Sequence, residues 1–407
     1  MSREAKGPTI FHGWFVVAAC FGVTLTLGQT FWAFGVFFKP LQNEFGWSRT
    51  LTSSAYTVFL IGYIISVIAA GRFADRYSPR PVLFASALLA GLGISLCSQA
   101  HSISQLSTFL FIAGLGTGAT WSVPSSIVQR WFYGRDRAGM ALAIVVSGVG
   151  AGALVFAPLI NYLILSHGWR NAYLIAGIIS FLLIAISSLA IKRSPTDAKT
   201  VSKIRGDAPE PASTAGWATG KVVTTASFLS VTCILCIVLL ALRVLSVHLV
   251  PYATDVGVTP TAAAAALGLM GGFSVPGRIM AGPISDKISW QKTLAISFLA
   301  MALSMPWLLF LKATWMLYCF VFFYGIFHGM TVTAHVGILG RFFGMRSIAE
   351  LIGISEATAQ LAGAFAPNLA GFIFDTTGSY FAAFVIVTVF LLGGCFIAMI
   401  MKPPPTS

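Results

Sequence analysis

Long apolar runs separated by short polar breaks are the feature that most constrains the fold of this chain. Each run holds about 20 residues, enough for a helix to cross a hydrocarbon core of roughly 30 Å. Hydrophobic residues make up 57% of the 407 and charged residues 9%, a composition outside the range of ordinary soluble proteins. We therefore predict an all-α integral membrane protein, for which lipid is the main solvent.

The apolar runs predict twelve transmembrane helices arranged as two six-helix, pseudo-symmetric bundles. The approximate spans are 13–38, 51–71, 81–99, 105–129, 138–164, 169–191, 226–251, 261–282, 291–311, 314–339, 348–373 and 379–401. The longest break is rich in Pro, Ser, Lys and Asp, which is typical of a flexible linker. The predicted domains are an N-terminal bundle (1–192), a cytoplasmic linker (193–225) and a C-terminal bundle (226–407).

The basic residues are distributed unequally between the two sides of these bundles. The net charge of +13 comes from 25 Lys and Arg, most of them in breaks on the side of the N-terminus, without the contiguous stripe that nucleic acid requires. Only Lys39, Arg49, Arg170 and Lys312 fall in breaks on the opposite side. The positive-inside rule then predicts that both termini are cytoplasmic. Short loops favour a prokaryotic inner membrane.

Motifs of enzymes and of cofactor sites are missing from the sequence. No loop carries HExxH, GxSxG or a clustered acidic metal site, and the glycines of spans 4 and 5 lack the strand and lysine of a phosphate loop. We therefore predict a protein that is not an enzyme and binds no cofactor or metal. A membrane receptor with a carrier fold is a less favoured alternative, because the chain has no appended soluble domain for signalling output.

A short segment is repeated in the two predicted halves. The sequence GRFADR at 71–76, after span 2, recurs as GPISDK at 282–287, after span 8. Parallel halves of this kind are typical of carriers that rock around a central site. The charged residues of these turns are predicted to form a conformational gate at the cytoplasmic side: Asp75, Arg76, Arg80, Asp286 and Lys287.

The first copy of the repeat resembles the G-x-x-x-D-[RK]-x-G-x-[RK] signature of the major facilitator superfamily. Here the signature reads Gly71, Asp75, Arg76, Ser78 and Arg80, with Ser78 in place of the usual glycine. The resemblance implies the twelve-helix facilitator fold.

Within that superfamily, the chain resembles the monocarboxylate transporter family and its prokaryotic relatives, which include oxalate/formate exchangers. The resemblance rests on Trp131–Ala143 with Ser147–Gly150 at span 5, and on His12-Gly13-Trp14 at span 1. It implies a small organic anion as the substrate.

Arg278 is the most informative single residue. A guanidinium within a span is costly unless it faces a cavity and meets a partner, so it is a functional candidate by default. It falls where the family keeps an arginine in span 8, and the resemblance implies that it binds the substrate carboxylate. A structural salt bridge is the alternative. The chain departs from the family pattern at two positions. Ser274 stands where the animal members have an acidic residue, and Trp32 stands where the family has a lysine, which puts the family's proton mechanism in doubt.

Other polar residues in the spans complete the predicted site. The predicted substrate contacts are Arg278, His248, Ser274, Tyr324 and His328, and the proton-coupling candidates are His248, Arg278 and Glu356. On span 10, Tyr324, His328, Thr331 and His335 follow one helical face. For Glu356, a structural pair with Arg341 or Arg346 is the favoured alternative. Arg243 ranks lower, because it and His248 project about 140° apart and would share the cavity only if span 7 unwound.

The sequence therefore predicts a secondary transporter of small monocarboxylates such as lactate. Its predicted partners are the carboxylate anion, a proton and the lipid bilayer, and it would work by alternating access. The nearest alternative keeps the fold but exchanges one carboxylate for another, for which Arg243 would supply a second basic contact to a dicarboxylate.

Overall fold

A computed structural model describes residues 12–76, 78–132, 137–191, 222–343 and 348–404. Within these ranges the regular structure is entirely helical, as predicted. The α-helices are α1 Gly13–Phe45, α2 Arg49–Arg76, α3 Pro79–Leu96, α4 Ile103–Thr117, α5 Ala119–Trp131, α6 Ala138–Ala190, α7 Ala226–Asp255, α8 Pro260–Ile288, α9 Trp290–Leu309, α10 Thr314–Phe343, α11 Ile348–Ala364, α12 Ala366–Thr377 and α13 Phe381–Ile400.

The described helices account for the twelve predicted spans. Ten helical stretches have the necessary length and apolar composition, and α4 with α5 counts as one of them. The stretch within α6 contains two spans, because the chain leaves helical geometry at Gly168 (φ 81°, ψ 160°). The remaining segment is α11 with α12, which are separate helices on either side of Phe365. The predicted all-α membrane fold is confirmed.

Local sequence signals explain several helix ends. Gly46 adopts the left-handed conformation (φ 65°) that ends α1, and its N–H donates to Gln42 O. Thr259 accepts a hydrogen bond from Ala262 N at the start of α8, where Pro260 is the first helical residue. These caps fix where the chain turns between spans.

The same packing order occurs in both halves. In the first half, α1 packs on α6, α2 on α4, and α3 on α6; in the second, α7 packs on α11, α8 on α10, and α9 on α13. The first arm of α6, before Gly168, meets α1, and its second arm meets α3. The halves are thus built alike. Residues 192–221, most of the predicted linker, lie outside the described ranges, so the domain boundaries stay predictions.

The halves meet along α2 with α11 and α12, along α1 with α7, and along α6 with α8. A Cβ on Gly150 of α6 would lie 2.6 Å from the carbonyl oxygen of Gly271 on α8, so this close approach requires glycine. Below, the first-loop face is the membrane face at which α1 ends and α2 begins, and the terminal face is the one at which α1 begins and α13 ends.

Candidate transport site

Charged side chains join the two halves at the first-loop face. Asp255, at the end of α7, forms ion pairs with Lys39 of α1 and with Arg49 of α2. Arg49 is buried, donates from Nη1 to Tyr380 Oη at 2.6 Å and places its guanidinium 3.5 Å from the ring centre of Phe374. The first-loop face is therefore closed by contacts between the halves.

Asp375 strengthens this closure by capping a helix of the opposite half. Its carboxylate accepts hydrogen bonds from the backbone N–H groups of Arg49 (2.9 Å) and Thr50 (2.8 Å) and from Thr50 Oγ1 (2.6 Å). These groups form the start of α2, where the helix dipole favours negative charge. Opening the first-loop face would break this cap as well as the ion pairs.

His248 belongs to the closed first-loop face. Its Nε2 lies 2.8 Å from Pro367 O, an atom that only accepts, so Nε2 carries hydrogen and Nδ1 accepts from Tyr380 Oη at 2.8 Å. Ser53 Oγ is 3.3 Å from Nε2. Both ring nitrogens are thus satisfied by partners at this face, and the structure does not bring His248 together with Arg278.

Unpartnered polar atoms lie on α8 and α10 of the second half. Below, the central layer is the group formed by Arg278, Tyr324 and His328 together with Arg243 and Glu356. Arg278 Nε and Nη1 are buried, and no described residue bonds to them. The same is true of Tyr324 Oη and His328 Nε2 on α10, whose rings are stacked at 6.3 Å. An unsatisfied buried polar group costs about 1–3 kcal/mol. This cluster is therefore suited to a ligand that carries acceptor atoms.

Other predicted residues lie beside this cluster with their polar groups already bonded. Ser274, one turn before Arg278, is buried and donates from Oγ to Gly271 O at 2.6 Å. Thr331 donates to Phe327 O at 2.9 Å, and His335 Nε2 lies 3.1 Å from Ser355 Oγ. These hydroxyl and ring groups are occupied by the helices, unlike those of Tyr324 and His328.

Arg243 is buried between the halves and is held by neutral partners. It donates from Nη1 to Tyr56 Oη (3.1 Å) and from Nη2 to Gln360 Oε1 (2.8 Å), and its guanidinium lies 4.1 Å from the ring centre of Phe31. α7 is helical through both Arg243 and His248, and both are buried. Arg243 bonds to Tyr56 and Gln360, whereas His248 bonds to Tyr380 and Pro367 at the first-loop face, so the structure does not bring the two to one cavity in this helical α7.

Glu356 joins the same central layer from α11. Its Oε1 accepts a hydrogen bond from Gln360 Nε2 at 3.0 Å, and it lies within electrostatic range of Arg243 and Arg278. Arg341 is exposed and no ion pair joins it to Glu356, while Arg346 lies outside the described residues. The expected pair with Arg341 is therefore wrong for this conformation. The reason is that the carboxylate points to the amide one turn along its own helix.

The predicted gate residues lie at the terminal face and are described in part. The side chains of Asp75 and Arg76 are outside the described structure. Arg80 donates to Ile191 O and Leu189 O (3.1 Å), which caps the end of α6 within the same half. Asp286 and Lys287 are exposed in the last turn of α8. No hydrogen bond or ion pair between two described side chains joins the halves through these residues.

Sequence reasoning did not find the partners that close the first-loop face. Lys39 and Arg49 stood out as basic residues on the sparsely charged side, which is a usable signal. Asp255 and Asp375 on that side could have been proposed as their partners by charge alone. Tyr56 and Gln360 gave no comparable signal, because a tyrosine and a glutamine are unremarkable within spans.

The sequence matches the model of the Major Facilitator Superfamily over residues 20–314 and 244–407. Monocarboxylate transporter 13 of Rattus norvegicus is 25% identical over 398 residues, which cover 97% of this chain and 90% of that protein. Monocarboxylate transporter 12 of Homo sapiens is 26% identical over 426 residues, which cover 95% of this chain and 79% of that protein.

Solved structures show the same fold at lower identity. A D-xylose-proton symporter has a TM-score of 0.78 at 14% identity and covers 96% of this chain and 98% of its own. A bacterial homologue of the human lysosomal transporter Spinster, in an inward-facing and unoccupied conformation, has a TM-score of 0.75 at 16% identity and covers 98% and 100%. The family match spans most of the sequence. The chain therefore belongs to the Major Facilitator Superfamily, and its relatives include monocarboxylate transporters.

Proposed function

We propose that this protein is a secondary transporter that carries small, lactate-like monocarboxylates together with a proton by alternating access. The observation that carries the proposal is the pair of buried guanidinium nitrogens of Arg278, Nε and Nη1, to which no described residue bonds. The names of the sequence relatives support the same substrate class.

Arg278 would bind the carboxylate, with help from Tyr324 and His328. A guanidinium presents its donors in a planar fork that matches a carboxylate, and charged hydrogen bonds are worth about 1.5–3 kcal/mol each. Tyr324 Oη and His328 Nε2 can bond the remaining acceptor atoms of a hydroxy or keto acid. A substrate carboxylate thus satisfies several costly atoms at once.

Among the predicted proton-coupling candidates, Glu356 best combines an ionisable group with closeness to the substrate arginine. His248 is committed to the first-loop face. Ser274 on α8 occupies the position of an acidic residue in the family that the sequence resembles. Here Glu356 on α11 would supply the carboxylate instead. With Arg243 and Arg278 both charged, the formal charge of the layer is +1 when it is empty with Glu356 ionised. It is again +1 when both an anion and a proton are bound.

This equality favours joint movement of anion and proton. A substrate anion carried alone against a membrane potential would cost about 2.3 kcal/mol per 100 mV. With the proton on Glu356, the loaded and the empty transporter carry the same charge across the membrane. The proposed coupling is therefore electroneutral.

The closed first-loop face corresponds to one end state of alternating access. The positive-inside rule supports an external position for this face and cytoplasmic termini. The short loops favour a prokaryotic inner membrane. In the opposite state the Lys39, Arg49, Asp255 and Asp375 contacts would open. Asp75, Arg76, Arg80, Asp286 and Lys287 would then close the terminal face between the halves.

Carboxylate exchange is a second candidate function, because two guanidinium groups, Arg243 and Arg278, lie within electrostatic range of His328. Both together would suit a dicarboxylate. In this conformation Arg243 is held by Tyr56 and Gln360, which favours a single carboxylate at Arg278.

The test is uptake of radiolabelled L-lactate into proteoliposomes that contain the purified protein. An inward proton gradient should drive accumulation, and a change in membrane potential at constant pH should have little effect. Glu356→Gln should lose accumulation while lactate exchange continues. Uptake that ignores the gradient, or that begins only after preloading with another carboxylate such as oxalate, would contradict proton symport and support the exchanger.

A further inference from the structure

A continuous chain of hydrogen bonds connects the proposed proton site to the opposite half of the molecule. Gln360 Nε2 donates to Glu356 Oε1, Arg243 Nη2 donates to Gln360 Oε1, and Arg243 Nη1 donates to Tyr56 Oη. Tyr56 Oη in turn donates to Phe31 O at 3.0 Å. The chain runs from α11 through α7 to α2 and α1. It therefore crosses between the halves at the level of the central layer.

The direction of these bonds is fixed by the chemistry of Arg243. A guanidinium only donates, so the amide of Gln360 must present its oxygen to Arg243 and its nitrogen to Glu356. Tyr56, Arg243 and Gln360 are at most 4% exposed, so water does not compete for these bonds. Gly363 makes room for the arginine stem, since a Cβ there would lie 3.3 Å from Arg243 Cγ.

The bond between Tyr56 and Arg243 depends on closure of the first-loop face. Tyr56 lies two turns after Arg49 on α2, which must move away from α7 when this face opens. Arg243 then loses a neutral partner, and its charge becomes available to stabilise ionised Glu356. We propose that Arg243 is a positioning residue that links closure of the first-loop face to proton binding at Glu356, an inference that rests on the function proposed above. Glu356 holds its proton more tightly while the face is closed.

Other ionisable groups also surround Glu356. Arg278 on α8 interacts with it electrostatically, as does Tyr63 on α2. From α10, His335 bonds to Ser355, the neighbour of Glu356. These groups contribute to its proton affinity. Tyr56 is distinguished from them because its hydroxyl bonds directly to Arg243 from the other half.

The experiment is equilibrium exchange of radiolabelled L-lactate in proteoliposomes, with equal pH on both sides, measured as a function of pH. Tyr56→Phe removes only the hydroxyl that engages Arg243. We expect its half-maximal exchange to move to a lower pH by about one unit, the equivalent of tenfold weaker proton binding. The matched control is Tyr173→Phe, since Tyr173 is another buried tyrosine of the first half and no described residue bonds to its hydroxyl.

Two further variants make the result specific. Arg243→Lys keeps the charge but cannot hold Tyr56 and Gln360 in one planar fork, so it should shift the midpoint in the same direction. Arg243→Lys and Tyr56→Phe act through the same hydrogen bond. The double variant should therefore shift the midpoint little further than either single variant. In a Glu356→Gln background, Tyr56→Phe should cause no shift.

The outcomes separate this inference from the proposed function. A wild-type midpoint in Tyr56→Phe, or a shift that persists in Glu356→Gln, would overturn the link through Arg243 while leaving proton-coupled transport intact. Exchange by the wild type that is independent of pH would contradict the proposed function itself, and the link with it.

Discussion

Arg49 and Arg278 differ in how their charged groups are satisfied. At the first-loop face, Arg49 meets Asp255, Tyr380 and the ring of Phe374. In the central layer, Arg278 has two buried nitrogens to which no described residue bonds. The first arginine closes the protein on itself with the protein's own carboxylate. Under the proposed function, the second would receive a carboxylate from outside.

In the proposed transport cycle, this difference would let one chemical pairing serve both closure and transport. A charge in a membrane span is costly unless it is paired. At the first-loop face the partner is a residue of the protein itself, and the ion pair breaks only when the conformation changes. At Arg278 the partner would arrive and leave with the substrate, so the cost of the unpaired state provides part of the binding energy.

The largest effect on lactate transport is expected when the planar guanidinium of Arg278 is replaced by a lysine ammonium. Arg278→Lys keeps the charge but removes bidentate hydrogen bonding to the substrate. KM for lactate should therefore rise, and uptake at low lactate fall, by about 10- to 100-fold, the equivalent of a charged hydrogen bond of about 1.5–3 kcal/mol. The matched control is Arg49→Lys, measured by the same uptake assay, which should leave KM for lactate close to that of the wild type. Equal rises of KM in both variants would contradict the comparison.

A smaller effect is expected from Asp255→Asn, because Asp255 is partly exposed and pairs with both Lys39 and Arg49. Two such pairs are together worth about 1 kcal/mol. The first-loop face should therefore open more often, and a cysteine introduced as Ser53→Cys should react roughly fivefold faster with a membrane-impermeant maleimide.

The control for that measurement is Glu44→Gln. Glu44 bonds to Trp169 and Arg170, so its ion pair lies near the same face but within one half. Its loss should not alter the labelling rate at position 53. A faster reaction in Glu44→Gln, or an unchanged one in Asp255→Asn, would show that these ion pairs do not hold the halves together.

The smallest effect is expected from Lys39→Gln. The Lys39 side chain is 30% exposed, so its pair with Asp255 is screened by solvent and contributes about 0–1 kcal/mol. Labelling at Ser53→Cys should rise by less than in Asp255→Asn, because Arg49 still binds Asp255. A larger rise for Lys39→Gln would mean that the exposed lysine, and not the buried arginine, closes the face.

The positions of the spans could be predicted because hydrophobic length is a local property of the sequence. Arg278 could be singled out for the same reason, since a charge within an apolar run is visible without a structure. The contact between Arg243 and Tyr56 joins residues 187 positions apart, and no local pattern indicates it. The position of His248 in the closed first-loop face could not be predicted for a related reason. Its partners Tyr380 and Pro367 lie far along the chain.

The most direct test of the account is gradient-driven uptake of radiolabelled L-lactate by the wild type and by Arg278→Ala, reconstituted in equal amounts. The wild type should accumulate lactate when the outside is acidic, and Arg278→Ala should show only the background of empty liposomes. Accumulation by Arg278→Ala at the rate of the wild type would contradict the claim that this arginine holds the substrate carboxylate.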